Sequence, residues 1–177
     1  MEETTIAPIL VVDDEKDMPA LIQLKFRRQI RNKELHFLFA ENGKAALDAL
    51  HEHPEVSVVL ADINMPVMDG LTMLNEIYRN SNIGQPFQFV KVIMITAYND
   101  MTNIRKAMNY GAFDFLTKPL DFEDLVLTVR KTLYEVGKLQ EMEFKQKEEL
   151  KKRLAAEKTL DGIEPAKLRD ILEKHIS

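Results

Sequence analysis

Short apolar runs alternate along this chain with stretches of helical period. Residues 9–12 (ILVV), 35–40 (LHFLFA), 56–61 (VSVVLA), 90–96 (VKVIMIT) and 113–117 (FDFLT) read as strands. The nearly unbroken apolar character of the first and third marks strands covered on both faces, as in a parallel sheet. Helices are predicted between them. One spans 18–29, where Pro19 suits a first turn whose N–H has no helical partner; another spans 44–51, capped by Asn42; a third spans 71–79, entered through the Asp69-Gly70 turn; and a fourth spans 101–110, ended by Gly111. Residues 80–88, with Gly84 and Pro86, read as a loop. Successive βα units of this kind predict an α/β fold: a parallel sheet with helices on both faces.

After the last strand the pattern changes. Asp121 is placed to cap a helix that starts at Phe122, and Phe122, Leu125, Val126, Val129 and Leu133 form an apolar stripe for the sheet. No proline interrupts until Pro165, so the helix is predicted to run to about Lys158, weakened only at Gly137. From Lys138 to Lys158, 12 of 21 residues are charged, and Leu139, Met142, Leu150 and Leu154 form a thin line broken by Gln146. That line fits either the seam of a parallel homodimer or a solvated linker helix. Asp161-Gly162 then predicts a turn, and PAKLRDILEKHIS a short amphipathic helix. The expected division is residues 1–136 and a helical or coiled-coil extension, 137–177.

Composition narrows the classes. The chain has 177 residues, 45% hydrophobic and 30% charged, enough for one domain and an appendage. Without cysteine it has no disulfide, thiolate chemistry or cysteine-based zinc site. Neither a signal peptide nor an apolar run of membrane-spanning length is seen, so a soluble, cytoplasmic protein is expected. Residues 1–122 hold 17 acidic and 12 basic side chains, and residues 123–177 hold 12 of each. The absence of a basic patch argues against direct nucleic-acid binding.

The candidate chemistry lies at strand ends. Asp13 and Asp14 follow the first run and Asp62 follows the third, and in open α/β sheets the carboxyl ends of the strands converge on the site. Carboxylates held together need a cation, and a hard divalent ion with oxygen ligands is the natural one. Thr96 and Lys118, ending the fourth and fifth runs, fit the same place.

The segments VVDDE at 11–15, LADINMPVMDG at 60–70, MITA at 94–97 and GAFDFLTKPL at 111–120 resemble, in order and spacing, the receiver domain of two-component response regulators. The resemblance covers roughly residues 6–136. It implies a flavodoxin-like five-stranded sheet in the order 2-1-3-4-5. It also implies that Asp62 accepts a phosphoryl group from a histidine kinase or phosphotransfer protein. Mg2+ would be held by Asp13, Asp14, Asp62 and the backbone carbonyl of Asn64. Thr96, Ala97 and Lys118 would contact the phosphoryl group, and Lys118–Pro119 would be a cis peptide. Phe115 stands where the family more often has tyrosine; its swing would report the phosphorylated state without a hydroxyl contact. Asn64 and Tyr98 would flank the mouth and tune access of water.

The resemblance thus implies a signalling switch that controls dimerisation or an effector, with no catalysis beyond its own phosphorylation and dephosphorylation. Two alternatives compete with this reading. A Mg2+-dependent phosphohydrolase of the haloacid dehalogenase type would want Asp-x-Asp after the first strand, where this chain has adjacent aspartates. A phosphorelay intermediate would use His175, which stands two residues from the end of the sequence.

Overall fold

A computed structural model of the chain describes residues 8–82, 84–97 and 100–161, with side chains as far as Arg153. The strands are β1 (Ile9–Val12), β2 (Phe37–Ala40), β3 (Val58–Asp62), β4 (Lys91–Ala97) and β5 (Asp114–Lys118). The helices are α1 (Met18–Lys25), α2 (Arg27–Arg31), α3 (Gly43–Glu52), α4 (Gly70–Arg79), α5 (Met101–Asn109) and α6 (Phe122–Asp161). All five strands are parallel in the order β2-β1-β3-β4-β5.

Strand alternation divides the core in two. Leu10, Val12, Val59, Ala61, Val92 and Met94 pack with α3, α4 and Ala107 of α5 on one face. Ile9, Val11, Val58, Leu60, Ile93 and Ile95 pack on the other with Ile22 and Phe26, and with Leu125, Val129 and Val136 of α6. Because successive side chains point to opposite faces and both faces are covered, β1 and β3 have no polar alternation. The predicted stripe on α6 therefore does meet the sheet, and Asp121 does cap it: Asp121 Oδ1 accepts from the N–H groups of Glu123 at 2.8 Å and Asp124 at 3.3 Å.

One prediction fails. Residues 18–29 do not form a single helix, because Phe26 leaves helical geometry (φ −95°, ψ 13°) between α1 and α2. Phe26 is fully buried, with its ring 5.0 Å from that of Phe37. Packing of this aromatic, rather than a glycine or proline, accompanies the break. The other bounds shift by one to three residues, as fraying element ends do.

The chain divides into two compact units, Met1–Gly137 and Lys138–Ser177. Within the second, the described part is helix with exposed Leu139, Met142 and Leu150. Asp161, expected to begin a turn, instead ends α6, and Gly162 and the predicted short helix lie outside the described residues. Among the described residues no helix is long and apolar enough to cross a membrane.

Candidate functional site

Parallel pairing sets the site. Asp62 is the last residue of β3 and lies in register with Ile95 of β4, while Thr96 pairs with Thr117 and Ala97 with Lys118 across β4 and β5. Asp13 follows β1 directly and donates its N–H to the Ala40 carbonyl at 3.1 Å. The strand ends thus bring acids, hydroxyl and ammonium to one edge of the sheet.

Asp13, Asp14 and Asp62 each offer a carboxylate oxygen within 4.8 Å of the others; Asp13 and Asp62 are buried and Asp14 is exposed. Lys118 Nζ donates to Asp62 Oδ2 at 2.8 Å, Asp13 Oδ2 at 3.3 Å and Glu15 Oε1 at 2.6 Å. Asp13 Oδ1 accepts from the Glu15 N–H at 2.8 Å, and Asp62 Oδ1 from the Asn64 N–H at 3.3 Å. Burial pushes the Asp13 carboxyl above its ordinary 3.8, against the Glu15 N–H and the Lys118 charge, and the nearby Asp62 charge adds to the rise. Burial also works against the Lys118 charge. Hydrogen bonds to Asp62 and Glu15 and the charges of Asp62 and Asp13 outweigh it, holding the ammonium above its ordinary 10.5.

The loop after Asp62 is built for close approach. A Cβ at Gly70 would stand 2.1 Å from the Asp62 carbonyl oxygen, and the Gly70 N–H donates to the Ile63 carbonyl at 2.9 Å. Only a residue without a side chain lets α4 start so near the acid. Asp69 then caps α4, its Oδ1 accepting from the Thr72 N–H at 2.7 Å. Val67, at the tip of the loop, has φ 66° and is almost fully exposed.

Thr96 is wholly buried, and its Oγ1 finds no hydrogen-bond partner among the described residues. A buried hydroxyl left unpaired costs about 1–3 kcal/mol, so it marks a place where an acceptor from outside the chain would be stabilised. Phe115, on β5, is 37% exposed. Lys118–Pro119 is cis. Asn64 is exposed beside the acids, and Tyr98 lies outside the described residues. Nothing in the sequence marks Glu15. It stands in VVDDE as one more exposed acid, and only the position of Lys118, 103 residues on, gives it a partner.

A cleft of about 280 Å3 adjoins the acids, lined among others by Asp14, Glu15, Met18, Phe39 and Glu41. The chemistry the cluster supports is that of hard, oxygen-rich cation binding next to an anion-stabilising lysine. Three carboxylate donors within reach of one another, two buried and one exposed, fit Mg2+, and the unpaired Thr96 hydroxyl fits an oxyanion beside them.

Comparison with known proteins agrees with this geometry. Residues 9–130 match the family described as the response regulator receiver domain. The chain is similar to the regulatory protein AtoC of Escherichia coli, with 38% identity over 131 residues, 73% of this chain and 26% of that protein. It is also similar to the DNA-binding transcriptional regulator NtrC of Escherichia coli, 33% identical over 125 residues, 71% of this chain and 24% of that one. The chain therefore spans about a quarter of the length of these relatives. A crystal structure of a response regulator receiver domain protein from Clostridium thermocellum superposes with a TM-score of 0.65 at 28% identity, covering 76% of this chain and 99% of that one.

Proposed function

The chain belongs to the response regulator receiver domain family of two-component signalling, and from that premise we propose that Asp62 is its phosphoryl acceptor. The observation that carries the reading is the Lys118 ammonium 2.8 Å from Asp62 among the carboxylates of Asp13 and Asp14. A carboxylate oxygen of Asp62 attacks the phosphorus of a donor in line, and the bond to the donor atom breaks with its electron pair leaving on the donor. The donor is a phosphorylated histidine of a kinase or of a phosphotransfer protein.

Asp13, Asp14, Asp62 and the Asn64 backbone carbonyl would hold Mg2+, which supplies charge neutralisation to the phosphoryl oxygens when bound. Lys118 neutralises a further oxygen, and the Thr96 hydroxyl, at present unpaired, donates to another, alongside Ala97. Drawing Thr96 towards the new group frees space beneath the β4–α5 loop, and Phe115, now exposed on β5, turns into it. Asn64 and Tyr98 govern access of water to the product.

The signalling reading displaces the phosphohydrolase alternative, because the family match spans the whole sheet and its acidic edge. His175, the relay candidate, lies outside the described residues. We further propose a receiver over residues 1–136 and an output segment over 137–177, acting in the cytoplasm. The output segment would join two copies or reach an effector. The acidic excess of residues 1–122 argues against nucleic-acid contact by the receiver itself; the DNA-binding role named for NtrC belongs to a protein of which this chain matches 24%.

Asp62→Asn tests the acceptor. The substitution is expected to abolish labelling by acetyl phosphate or a phosphorylated kinase in the presence of Mg2+, with the fold retained by circular dichroism. Undiminished labelling of the folded variant would remove Asp62 from the role.

A further inference from the structure

The three N–H donors of the Lys118 ammonium are matched by three carboxylates, those of Asp13, Asp62 and Glu15, and the shortest of these contacts, 2.6 Å, is to Glu15. A phosphoryl oxygen that needs a donor from Lys118 must therefore displace one of them. Before an acyl phosphate forms, Asp13 and Asp62 are buried carboxylates placed to hold Mg2+, and neither can turn away without leaving a buried charge unpaired or giving up the metal. The Glu15 carboxylate is 62% exposed and can return to water at small cost. Its backbone is held in place meanwhile, because the Glu15 N–H donates to Asp13 Oδ1. Residue 15 is thus anchored at the site while its side chain is free to leave.

We propose that Glu15 occupies, in the unphosphorylated protein, the position at Lys118 that a phosphoryl oxygen takes, and that it is expelled when the phosphoryl group arrives. This rests on the reading of Asp62 as the acceptor and adds to it a positioning residue that works through Lys118. Glu15 keeps the ammonium near Asp62 while the site is empty of anion, and it sets the threshold an incoming anion must overcome by competing for the same donor. Its negative charge at the mouth also disfavours approach of an anionic group.

Beryllofluoride with Mg2+, titrated into the full 177-residue chain and followed by calorimetry, reads this directly. Glu15→Gln, which keeps the length and removes the charge, is expected to bind the mimic about three- to tenfold more tightly, the effect of one like charge at a few ångströms in a partly exposed site. Glu15→Asp keeps the charge but shortens the reach to Lys118, and is expected to recover most of that gain. The melting temperature without ligand should stay within about 2 °C of wild type in both variants, because an exposed ion pair contributes little to stability. Unchanged affinity in Glu15→Gln overturns the proposal. So does a Glu15→Asp variant that binds as wild type does, since charge alone and not the contact with Lys118 would then be at work. The same titration of Asp62→Asn separates the underlying reading: binding that survives there overturns the acceptor assignment, and this inference with it.

Discussion

Asp13 illustrates how a single residue can carry a cost that the site needs. Its folded pKa is raised, chiefly by burial, so the native state holds a proton more readily than the unfolded chain does. Stability is therefore lost as pH rises from the unfolded value of 3.8 through the raised folded value, and the loss is complete above that folded value. Asp13→Asn should raise the melting temperature at pH 7 without divalent cations by a few degrees, and the advantage should shrink as the pH is lowered and vanish below about 3.8. A variant no more stable than wild type at pH 7 would mean that Lys118 already compensates the buried charge. At this level the sequence was informative where strand ends point: Asp13, Asp14, Asp62, Thr96 and Lys118 all meet at one edge of the sheet. It was silent on Glu15, since no spacing in VVDDE announces a partner 103 residues away, and on the unpaired state of the Thr96 hydroxyl, which depends on packing from several elements.

The strands were legible as elements because parallel pairing with cover on both faces removes polar alternation, leaving runs such as ILVV that suit little else. Helices α3, α4 and α5 were legible through their caps, and Asn42 does accept from the Ala45 N–H at 2.9 Å. The break at Phe26 was not, because a buried ring tilted against that of a strand residue leaves no local mark in the sequence. The strand order was implied by resemblance alone, since connection lengths do not choose between neighbours. In the second unit, Glu141–Lys145, Glu143–Lys147 and Glu149–Arg153 are i,i+4 ion pairs with the acid nearer the amino terminus, the favourable orientation against the helix dipole. Each such exposed pair contributes only slightly, so this stretch is a helix supported from within by several small charge contacts together. Gly137 is the weak point. A Cβ there meets nothing within 4 Å, so Gly137→Ala should stabilise α6 by about 0.5–1 kcal/mol, seen as a higher midpoint in thermal unfolding followed at 222 nm. A lower midpoint would show that the helix needs to bend at that residue.

For the whole molecule the question is how a change at Asp62 leaves the receiver. Leu139, Met142 and Leu150 are exposed on a helix whose charges are largely paired within itself, which supports either a homodimer seam or a free-standing spacer. The homodimer predicts that sedimentation of the 177-residue chain at tens of micromolar gives a dimer whose population or shape shifts with beryllofluoride; a monomer in both states would make the segment a spacer. Everything downstream depends on the chemistry at the sheet edge, which is tested most directly by mapping the phosphoryl group. After incubation with acetyl phosphate and Mg2+, the phosphoryl group should be stable to acid and labile to base, and reduction of the acyl phosphate with borohydride followed by peptide mass spectrometry should find one residue, Asp62, converted to homoserine. Modification at another residue, or none in the folded protein, would contradict the assignment of Asp62 as acceptor.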